Sequence, residues 1–288
     1  MLCTFATVAA PTWAISGAGA ALRSTDFSGL NDGRPGTQTR LQGCTSAVNP
    51  TILTATGFSL AAAAGQPYYL IVGILNATLA TASATSIAVN GAWGAAGTLT
   101  QALVQYPKAL APPPAQQPYI NAWYVLTPSQ LSGSTPITQL TVNLTTASAS
   151  QVFAIGEIMI GLAFDVPVDA LEIQWDDSSK LNRSSGNQPY TVLRKPFRKT
   201  SCNVAPQTFI QSFGNSANGI ALADFFYAMD VQAKLAIIPS WHQAGSSSVD
   251  TDMIQRMAQA VRGLNFGALK SMGPEQFYSV PLAFEELL

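Results

Sequence analysis

The stretch Tyr68–Leu75 reads Tyr-Tyr-Leu-Ile-Val-Gly-Ile-Leu. This continuous apolar run is long enough for a central strand that is buried on both faces. It is bounded by segments rich in Ala, Gly, Ser and Thr, which suit turns and exposed strand faces. The stretch therefore predicts a β-rich fold built around this strand.

Alternating apolar residues predict further strands. In Ile137–Leu144, the side chains of Leu140, Val142 and Leu144 fall on one face, as in a half-buried strand. Pro281 restricts the last predicted strand to a sheet edge or to pairing on one side. The spacing of the elements is typical of sandwiches and barrels. The other predicted strands are Tyr119–Leu126, Val152–Ile160, Leu235–Ile238 and Phe277–Phe284.

Helical periodicity is confined to two short segments in the second half. Ala221–Met229 and Thr251–Arg262 both place apolar side chains at helical spacing. Either Asp250 or Thr251 can cap the start of the second segment. With 18 Pro and 22 Gly in the chain, turns are favoured over long helices.

A change in composition near Gly161 predicts two domains. Charged residues become frequent from Asp165 onward, so we expect a β-sandwich at 1–160 and a β-rich domain at 161–288. The proline-rich segment Lys108–Pro118 is predicted to be a loop within the sandwich, because successive prolines hold an extended path without backbone donors.

The chain is poor in charge, and the charge is unevenly distributed. Only 29 of 288 residues are charged, whereas about a quarter is usual for a soluble domain. A dispersed monomer needs charge repulsion and hydration to oppose self-association. We therefore expect much of the surface to be covered by identical neighbours. Residues 1–160 contain seven of the charges: Arg23, Asp26, Asp32, Arg34, Arg40, Lys108 and Glu157.

Several classes of partner and cofactor are not expected. The net charge is −1, which draws the protein neither to nucleic acid nor to an acidic membrane. The chain has no clean apolar stretch of 18 residues, so we expect no membrane span. The start of the chain lacks the basic residues of a secretory signal. Cys3, Cys44 and Cys202 lack metal-type spacing and favour a reducing cytosol. No phosphate-loop, dinucleotide or zinc signature is present, so we expect no cofactor.

Two groups of residues raise the question of catalysis. His242 is the single His, and no Gly-x-Ser-x-Gly elbow accompanies it, so we expect a structural or surface role. Asp176 and Asp177 follow Trp175, an arrangement that could serve glycoside cleavage. Adjacent residues of a strand point to opposite faces, however, and the sequence also fits an Asp/Ser turn. We therefore predict a non-enzymatic protein.

Six basic residues lie within a span of 20 residues, and three interpretations are open. Such a cluster can bind phosphates, protect an exposed strand edge, or form a contact between subunits. We favour the edge or the interface, because the basic residues alternate with apolar and turn residues. Lys180 belongs to the cluster, and the predicted interface residues are Arg183, Arg194, Lys195, Arg198 and Lys199.

Three aromatic residues of the first domain also have two interpretations. If Trp93, Trp123 and Tyr124 lie exposed at the loop ends of the sandwich, they can contact a glycan or a protein partner. The alternative is that they pack in the core, as large aromatic side chains commonly do.

The segment Asn31-Asp32-Gly33-Arg34-Pro35, followed by Thr37 and Arg40, resembles the opening of a galactose-binding-like, discoidin-type jelly roll. In such modules an Asp-Gly turn precedes a strand containing Thr and Arg. An aromatic often follows that Arg, whereas this chain has Leu41. The resemblance implies a jelly-roll β-sandwich for the N-terminal region.

Three later segments resemble tail-tip proteins of tailed bacteriophages. They are Ile155–Gly161 (Ile-Gly-Glu-Ile-Met-Ile-Gly), Trp175–Ser178 and Arg183–Tyr190 (Arg-Ser-Ser-Gly-Asn-Gln-Pro-Tyr). Leu235–Pro239 and the closing Phe277–Leu288 also look like the end of such proteins. Asn187 stands where the family often has a second Gly. The resemblance implies a distal-tail-like baseplate subunit, whose belt- or barrel-like β domain forms a ring, which is a hexamer in such proteins.

Taken together, these features predict a mainly β virion protein that is made in the bacterial host cytoplasm. It would connect the tail tube to host-adsorption components, with copies of itself and other tail proteins as partners. The alternative is a carbohydrate-binding adsorption protein that contacts host-surface glycans.

Overall fold

The computed structural model confirms a mainly β fold. Strands β1–β20 dominate it, together with one short 3₁₀ turn (Ser28–Leu30) and one described α-helix, α1 (Thr251–Met257). The structure describes residues 1–17, 27–32, 37–42, 51–60, 68–77, 84–89, 98–102, 120–131, 136–145, 152–176, 180–183, 189–192, 197–206, 234–242, 248–266, 270–272 and 277–287.

The chain divides into two compact units that are not continuous in sequence. The first comprises Met1–Asp165, Ala217–Gly219 and Ala236–Ala258. The second comprises Val166–Ser216, Ile220–Leu235 and Gln259–Leu288. Residues 236–258 therefore cluster with the first unit, although the change in composition assigns them to a second domain that starts at residue 161.

In the first unit, one antiparallel sheet is organised around the central apolar strand. β5 (Tyr69–Ala77) lies between β11 and β8, and every residue from Leu70 to Leu75 is buried. The strand predicted at Tyr68–Leu75 is thus confirmed as an interior strand. The order of the sheet is the Ala236–Ile238 part of β16 (Lys234–Ile238), β1 (Leu2–Thr7), β11 (Glu157–Asp165), β5 and β8 (Ile120–Leu126).

A second antiparallel sheet packs against one face of this sheet. Leu140, Val142 and Leu144 are fully buried, as their alternation predicts. They share one hydrophobic core with Leu70 and Val72 of β5, so the first unit contains a β-sandwich. In order, the strands of the second sheet are β2 (Thr12–Ser16), β4 (Thr51–Thr56), β9 (Leu140–Thr145), β6 (Ala84–Val89) and β7 (Thr98–Ala102). A separate antiparallel pair joins β3 (Thr39–Gln42) to β10 (Val152–Ile155).

The other face of the first sheet is covered by aromatic side chains and by α1. Gly73 pairs with Trp123, and Ile71 pairs with Val125, so these four residues share that face. Gln255 of α1 holds the edge strand β8: its Oε1 accepts from the Trp123 backbone N–H at 2.9 Å, and its Nε2 donates to the Trp123 carbonyl. These are the bonds that a neighbouring strand would otherwise make.

The second unit is built on four antiparallel strands. Their order is β12 (Val168–Asp176), β15 (Phe197–Val204), β20 (Pro281–Glu286) and β17 (Gln259–Phe266). Two hairpins add β13 (Lys180–Arg183) with β14 (Pro189–Val192), and β18 (Lys270–Met272) with β19 (Phe277–Ser279).

Two elements have boundaries that differ from those predicted by the spacing of their apolar residues. The helix predicted over Thr251–Arg262 stops at Met257, because Ala258 has extended backbone and Val261 and Arg262 pair with β20. Asp250 caps its start by accepting from the Met253 N–H at 3.0 Å. The strand predicted over Val152–Ile160 divides at Gly156 into β10 and β11.

The last predicted strand, Phe277–Phe284, also divides, into β19 and β20. β20 is an interior strand with partners on both sides, so the expected edge position is wrong for the strand as a whole. Pro281 is its first residue and pairs with Asn203 of β15, while the ladder to β17 ends at Leu282. The missing N–H of Pro therefore falls at the strand end, where it is tolerated. The predicted helix Ala221–Met229 and loop Lys108–Pro118 lie outside the described residues.

The replacement Gly73→Ala tests the packing of Trp123 on β5. A Cβ at position 73 would lie 2.5 Å from Trp123 Cζ3 and 2.8 Å from Cε3, far inside van der Waals contact. We expect a loss of about 1–3 kcal/mol in the free energy of unfolding, measured by urea denaturation. The double variant Gly73→Ala/Trp123→Leu should lose less than the sum of the single variants. An unchanged urea midpoint for Gly73→Ala would show that the ring does not rest on this glycine.

Candidate assembly edge and aromatic groove

Strand β12 of the second unit has an open side. Among the described strands it pairs with β15 alone, and six of its nine residues are exposed. Leu171 is 38 % exposed and Trp175 is 59 % exposed, which is unusual for large apolar side chains on a strand. We refer to Leu171, Ile173 and Trp175 of β12 as the assembly edge.

The assembly edge continues a buried face of the sheet. Leu171, Ile173 and Trp175 alternate with polar residues and pair with three consecutive inward residues of β15, all of them buried: Cys202, Thr200 and Arg198. Side chains of paired residues lie on the same face. The apolar stripe of β12 therefore extends a covered surface into solvent, which is typical of a surface that meets a partner.

A bulge at Ala170 interrupts the ladder at the start of β12. Ala170 has φ 50°, and the register with β15 shifts between Asp169 and Leu171. Bulges on edge strands bend the strand and end its regular pairing. The ladder with β15 is uninterrupted from Leu171 to Asp176, the part of β12 that contains the assembly edge. A shallow cleft of about 300 Å³ lies beside it, between Leu171 and the residues of β15 and β20 around Cys202 and Leu282.

Ion pairs fix two of the predicted interface residues within the chain. Arg198 is buried, and its Nη2 and Nε donate to the two carboxylate oxygens of Glu286 at 2.6 and 3.0 Å. Its guanidinium also lies 5.8 Å from the centre of the Trp175 ring, a cation–π distance. Lys199 donates to Asp176, and this hydrogen bond raises the pKa of the Lys199 ammonium.

The other predicted interface residues are less informative. Arg183 lies on β13 opposite Pro189, and Arg194 and Lys195 are outside the described residues. The pattern that locates the assembly edge was present in the sequence. Leu171, Ile173 and Trp175 alternate with Glu172, Gln174 and Asp176, but the Trp-Asp-Asp-Ser-Ser segment favoured a turn instead.

The first unit contains an aromatic groove of about 710 Å³. It lies over the face of β5 and β8 that is turned away from the sandwich core. Its described lining comes from β5, from β8 and the loop that follows it, and from two segments that precede and form α1: Tyr69, Trp123, Val125, Thr127, Pro128, Ser129, Gln130, Trp241, Ser248, Val249, Thr251 and Ile254. We use the name aromatic groove for this set.

Hydrogen bonds fix one wall of the aromatic groove. Gln130 Oε1 accepts from the Thr127 backbone N–H at 2.9 Å and from Thr127 Oγ1 at 3.1 Å. The Leu131 N–H donates to the Thr127 carbonyl, closing a tight turn. These contacts hold the polar side chains of the loop in place before any ligand is bound.

Trp241 forms the opposite wall. It lies edge-on to Tyr69, with ring centroids 5.0 Å apart, and burial is the main cause of the raised pKa of the Tyr69 phenol. The Trp241 Nε1–H is buried and meets no acceptor among the described residues. His242 follows in sequence and bridges to Val249, but it is not among the described lining residues.

Two of the three predicted glycan-contact residues lie in the interior. Trp123 and Tyr124 are each 1 % exposed: Trp123 rests on Gly73 at the bottom of the aromatic groove, whereas Tyr124 points into the sandwich core. Burial raises the pKa of the Tyr124 phenol, and its hydroxyl meets no partner among the described residues. Trp93 lies outside the described residues.

The described residues contain no group of three or more His, Cys, Asp or Glu that could hold a metal ion. Asp176 is paired with Lys199, and Asp177 lies outside the described residues. Cys3 and Cys202 are buried free thiols, and burial raises the pKa of Cys202 to about 11. Within the described part of the chain, no helix is long and apolar enough to cross a membrane.

Comparison with known proteins assigns no family. No family model matches the sequence, and no curated protein matches it. Among solved structures, the chain is similar to the glycoside hydrolase domain of Endo-D from Streptococcus pneumoniae R6, at 13 % identity and a TM-score of 0.32. The match covers 66 % of this chain and 26 % of that one. Similarity at this level supports no inference about fold or activity.

The replacement Gln255→Ala tests how α1 is held over β8. It leaves the buried N–H and C=O of Trp123 without their partner, so we expect a loss of about 2–4 kcal/mol in the free energy of unfolding. Arg256→Ala is the matched control on the same helix, because Arg256 is exposed and its ion pair with Asp252 is worth at most about 0.5 kcal/mol. Equal losses in chemical denaturation would contradict the proposed role of Gln255.

The replacement Tyr124→Phe tests whether the buried phenol is purely a packing group. Because the hydroxyl has no described partner, we expect the stability near neutral pH to change by less than about 1 kcal/mol. The raised pKa keeps Tyr124 protonated in the folded state, while the unfolded phenol ionises from about pH 10. The wild type should therefore lose more stability than the variant as the pH rises above 10. A large loss in the variant at neutral pH would reveal an essential hydrogen bond.

Proposed function

We propose that this chain is a non-enzymatic structural subunit that assembles with copies of itself through the assembly edge. The observation that carries the proposal is the exposed apolar stripe of Leu171, Ile173 and Trp175 on a strand that has no described neighbour on its outer side. A row of exposed large apolar side chains along an edge strand is unusual in proteins that remain monomeric.

The structure of β12 supports pairing with another chain. Strand addition supplies backbone hydrogen bonds along the open side, while alternate side chains provide the apolar contact. Trp175 suits the centre of such a contact, since large aromatic residues dominate interface energetics. The Arg198–Glu286 pair behind Trp175 is satisfied within the chain, so burying this site leaves no unpaired charge there.

The distribution of charge supports the same proposal. Seven charged residues among the first 160 give that region little repulsion against neighbouring molecules. Asp169, Glu172 and Asp176 on β12 would restrict which surfaces can pair with it, because like charges oppose wrong partners. The low charge of residues 1–160 therefore permits association, while the charges on β12 make the association specific.

The particle in which the subunit assembles is inferred from the sequence. The segments Ile155–Gly161, Trp175–Ser178 and Arg183–Tyr190 resemble tail-tip proteins of tailed bacteriophages. We therefore propose a place in the tail tip or baseplate of a phage virion, in a ring that connects the tail tube to host-adsorption components. Other tail proteins would be its partners there. The second of these segments includes Trp175, so the resemblance coincides with the assembly edge.

The experiment compares the oligomeric mass of the purified full chain with that of a Leu171→Ser/Trp175→Ser variant. We expect an assembly of more than two copies for the wild type by light scattering, rings by negative-stain imaging, and smaller species for the variant. Leu264→Ser is the matched control, because Leu264 is also an exposed apolar residue (42 %) but lies on the paired strand β17.

The results distinguish the parts of the proposal. A wild-type protein that stays monomeric at high concentration overturns assembly, and equal mass for wild type and edge variant overturns the role of β12. Circular dichroism of each variant verifies that the fold is retained. Labelling the subunit in the parent particle tests its place in the virion.

A further inference from the structure

We propose that the aromatic groove of the first unit is a binding site for a neutral saccharide. This inference is independent of assembly through β12, since every described residue of the groove belongs to the first unit. It also differs from glycan contact through exposed aromatic residues at loop ends, because Trp123 is a buried part of the groove floor.

The size and charge of the groove define the ligand class. A volume of about 710 Å³ falls within the roughly 300–1,000 Å³ that is usual for small-ligand sites. None of the described lining residues is Asp, Glu, Lys, Arg or His. The described lining offers no positive charge to phosphate or carboxylate groups, and desolvating such a group without a partner is costly. The pKa of the Tyr69 phenol is raised by burial and also by the charge of Asp165, which opposes an anion as well. An uncharged ligand is therefore favoured over an anion.

The combination of aromatic and hydroxyl side chains in the lining restricts the class of ligand further. Tyr69 supplies a partly exposed aromatic ring that is backed by the buried rings of Trp123 and Trp241, while Thr127, Ser129 and Thr251 bring hydroxyl groups to the same groove. The hydroxyls of Thr127 and Ser129 hydrogen-bond each other, and a purely apolar ligand would add no partner for them or for Thr251 while it removed their water. A sugar carries apolar C–H faces and a rim of hydroxyls, so it can match both parts of the wall at once.

Two hydrogen-bond donors of the lining residues have no acceptor within the described part of the chain. Gln130 uses its Oε1 for Thr127, and its Nε2 makes no hydrogen bond to the residues that the structure describes. The Trp241 Nε1–H lacks an acceptor within the same set. An oxygen atom of a bound sugar, reached directly or through one water, would satisfy the amide of the partly exposed Gln130, whereas the Trp241 Nε1–H is covered by protein atoms.

The groove is also held in shape before binding. The Thr127–Leu131 turn is closed by its own hydrogen bonds, and Gln255 attaches α1 to the backbone of Trp123. A fixed wall reduces the entropy lost on binding, which matters for a weak, uncharged ligand.

The test titrates the full chain with a panel of neutral trisaccharides and follows heat release and tryptophan fluorescence. The panel contains chitotriose, maltotriose, cellotriose and galactotriose, and trigalacturonic acid serves as the charged comparator. We expect at least one neutral sugar to bind, with an affinity that is unchanged between about 0.05 and 0.5 M NaCl because no charge pairing is involved.

Variants locate the binding. Tyr69→Ala and Gln130→Ala should each weaken the affinity about tenfold or more, whereas Tyr69→Phe, which keeps the ring, should lose less. Leu171→Ser/Trp175→Ser is the matched control in the second unit: it should bind sugar as the wild type does, even where it no longer assembles. Failure of assembly and failure of sugar binding are thus separate results.

Several outcomes overturn the inference. They are no binding of any neutral member of the panel at about 10 mM, binding that is equal in wild type, Tyr69→Ala and Gln130→Ala, and binding of the charged comparator alone. If Tyr69→Ala fails to fold, Gln130→Ala and Tyr69→Phe still decide the location, because both substitutions keep the aromatic packing around Trp241.

Discussion

The burial of β5 on both faces is the constraint on which the first unit depends. One face of the strand contributes Leu70, Val72 and Ile74 to the sandwich core, and the other contributes Ile71 and Gly73 to the floor beneath Trp123. A strand buried on both sides needs a layer on each. The second sheet supplies one layer, and the Trp123–α1 packing supplies the other. The core and the aromatic groove are therefore opposite sides of a single strand.

The local sequence pattern was sufficient to predict strands whose burial follows directly from the spacing of their own apolar residues. Tyr68–Leu75 and the face formed by Leu140, Val142 and Leu144 needed no distant information. Local pattern failed at Thr251–Arg262, where apolar spacing fits a helix for seven residues, but Val261 and Arg262 are captured by pairing with β20. Tertiary pairing overrides a weak helical preference at such a boundary.

The aromatic groove could not be predicted from the sequence for a related reason. Tyr69, Gln130 and Trp241 come from three distant parts of the chain and share no motif. They meet because β5 and β8 are neighbours and α1 returns to cover them. The assembly edge is different, since its alternation is local; its openness, however, depends on the absence of a described partner strand beyond β12.

The edge strands β8 and β12 differ in what occupies their outward backbone N–H and C=O groups. This difference restricts the symmetry of an assembly. At β8, Gln255 occupies the backbone of Trp123 in place of a neighbour, which discourages another strand from adding there. At β12, nothing described does so. If β12 of one molecule met β12 of another, the contact would be two-fold and would stop at a pair of molecules. A closed ring instead requires β12 to meet a different surface on the next molecule, so growth around the ring would have a fixed direction.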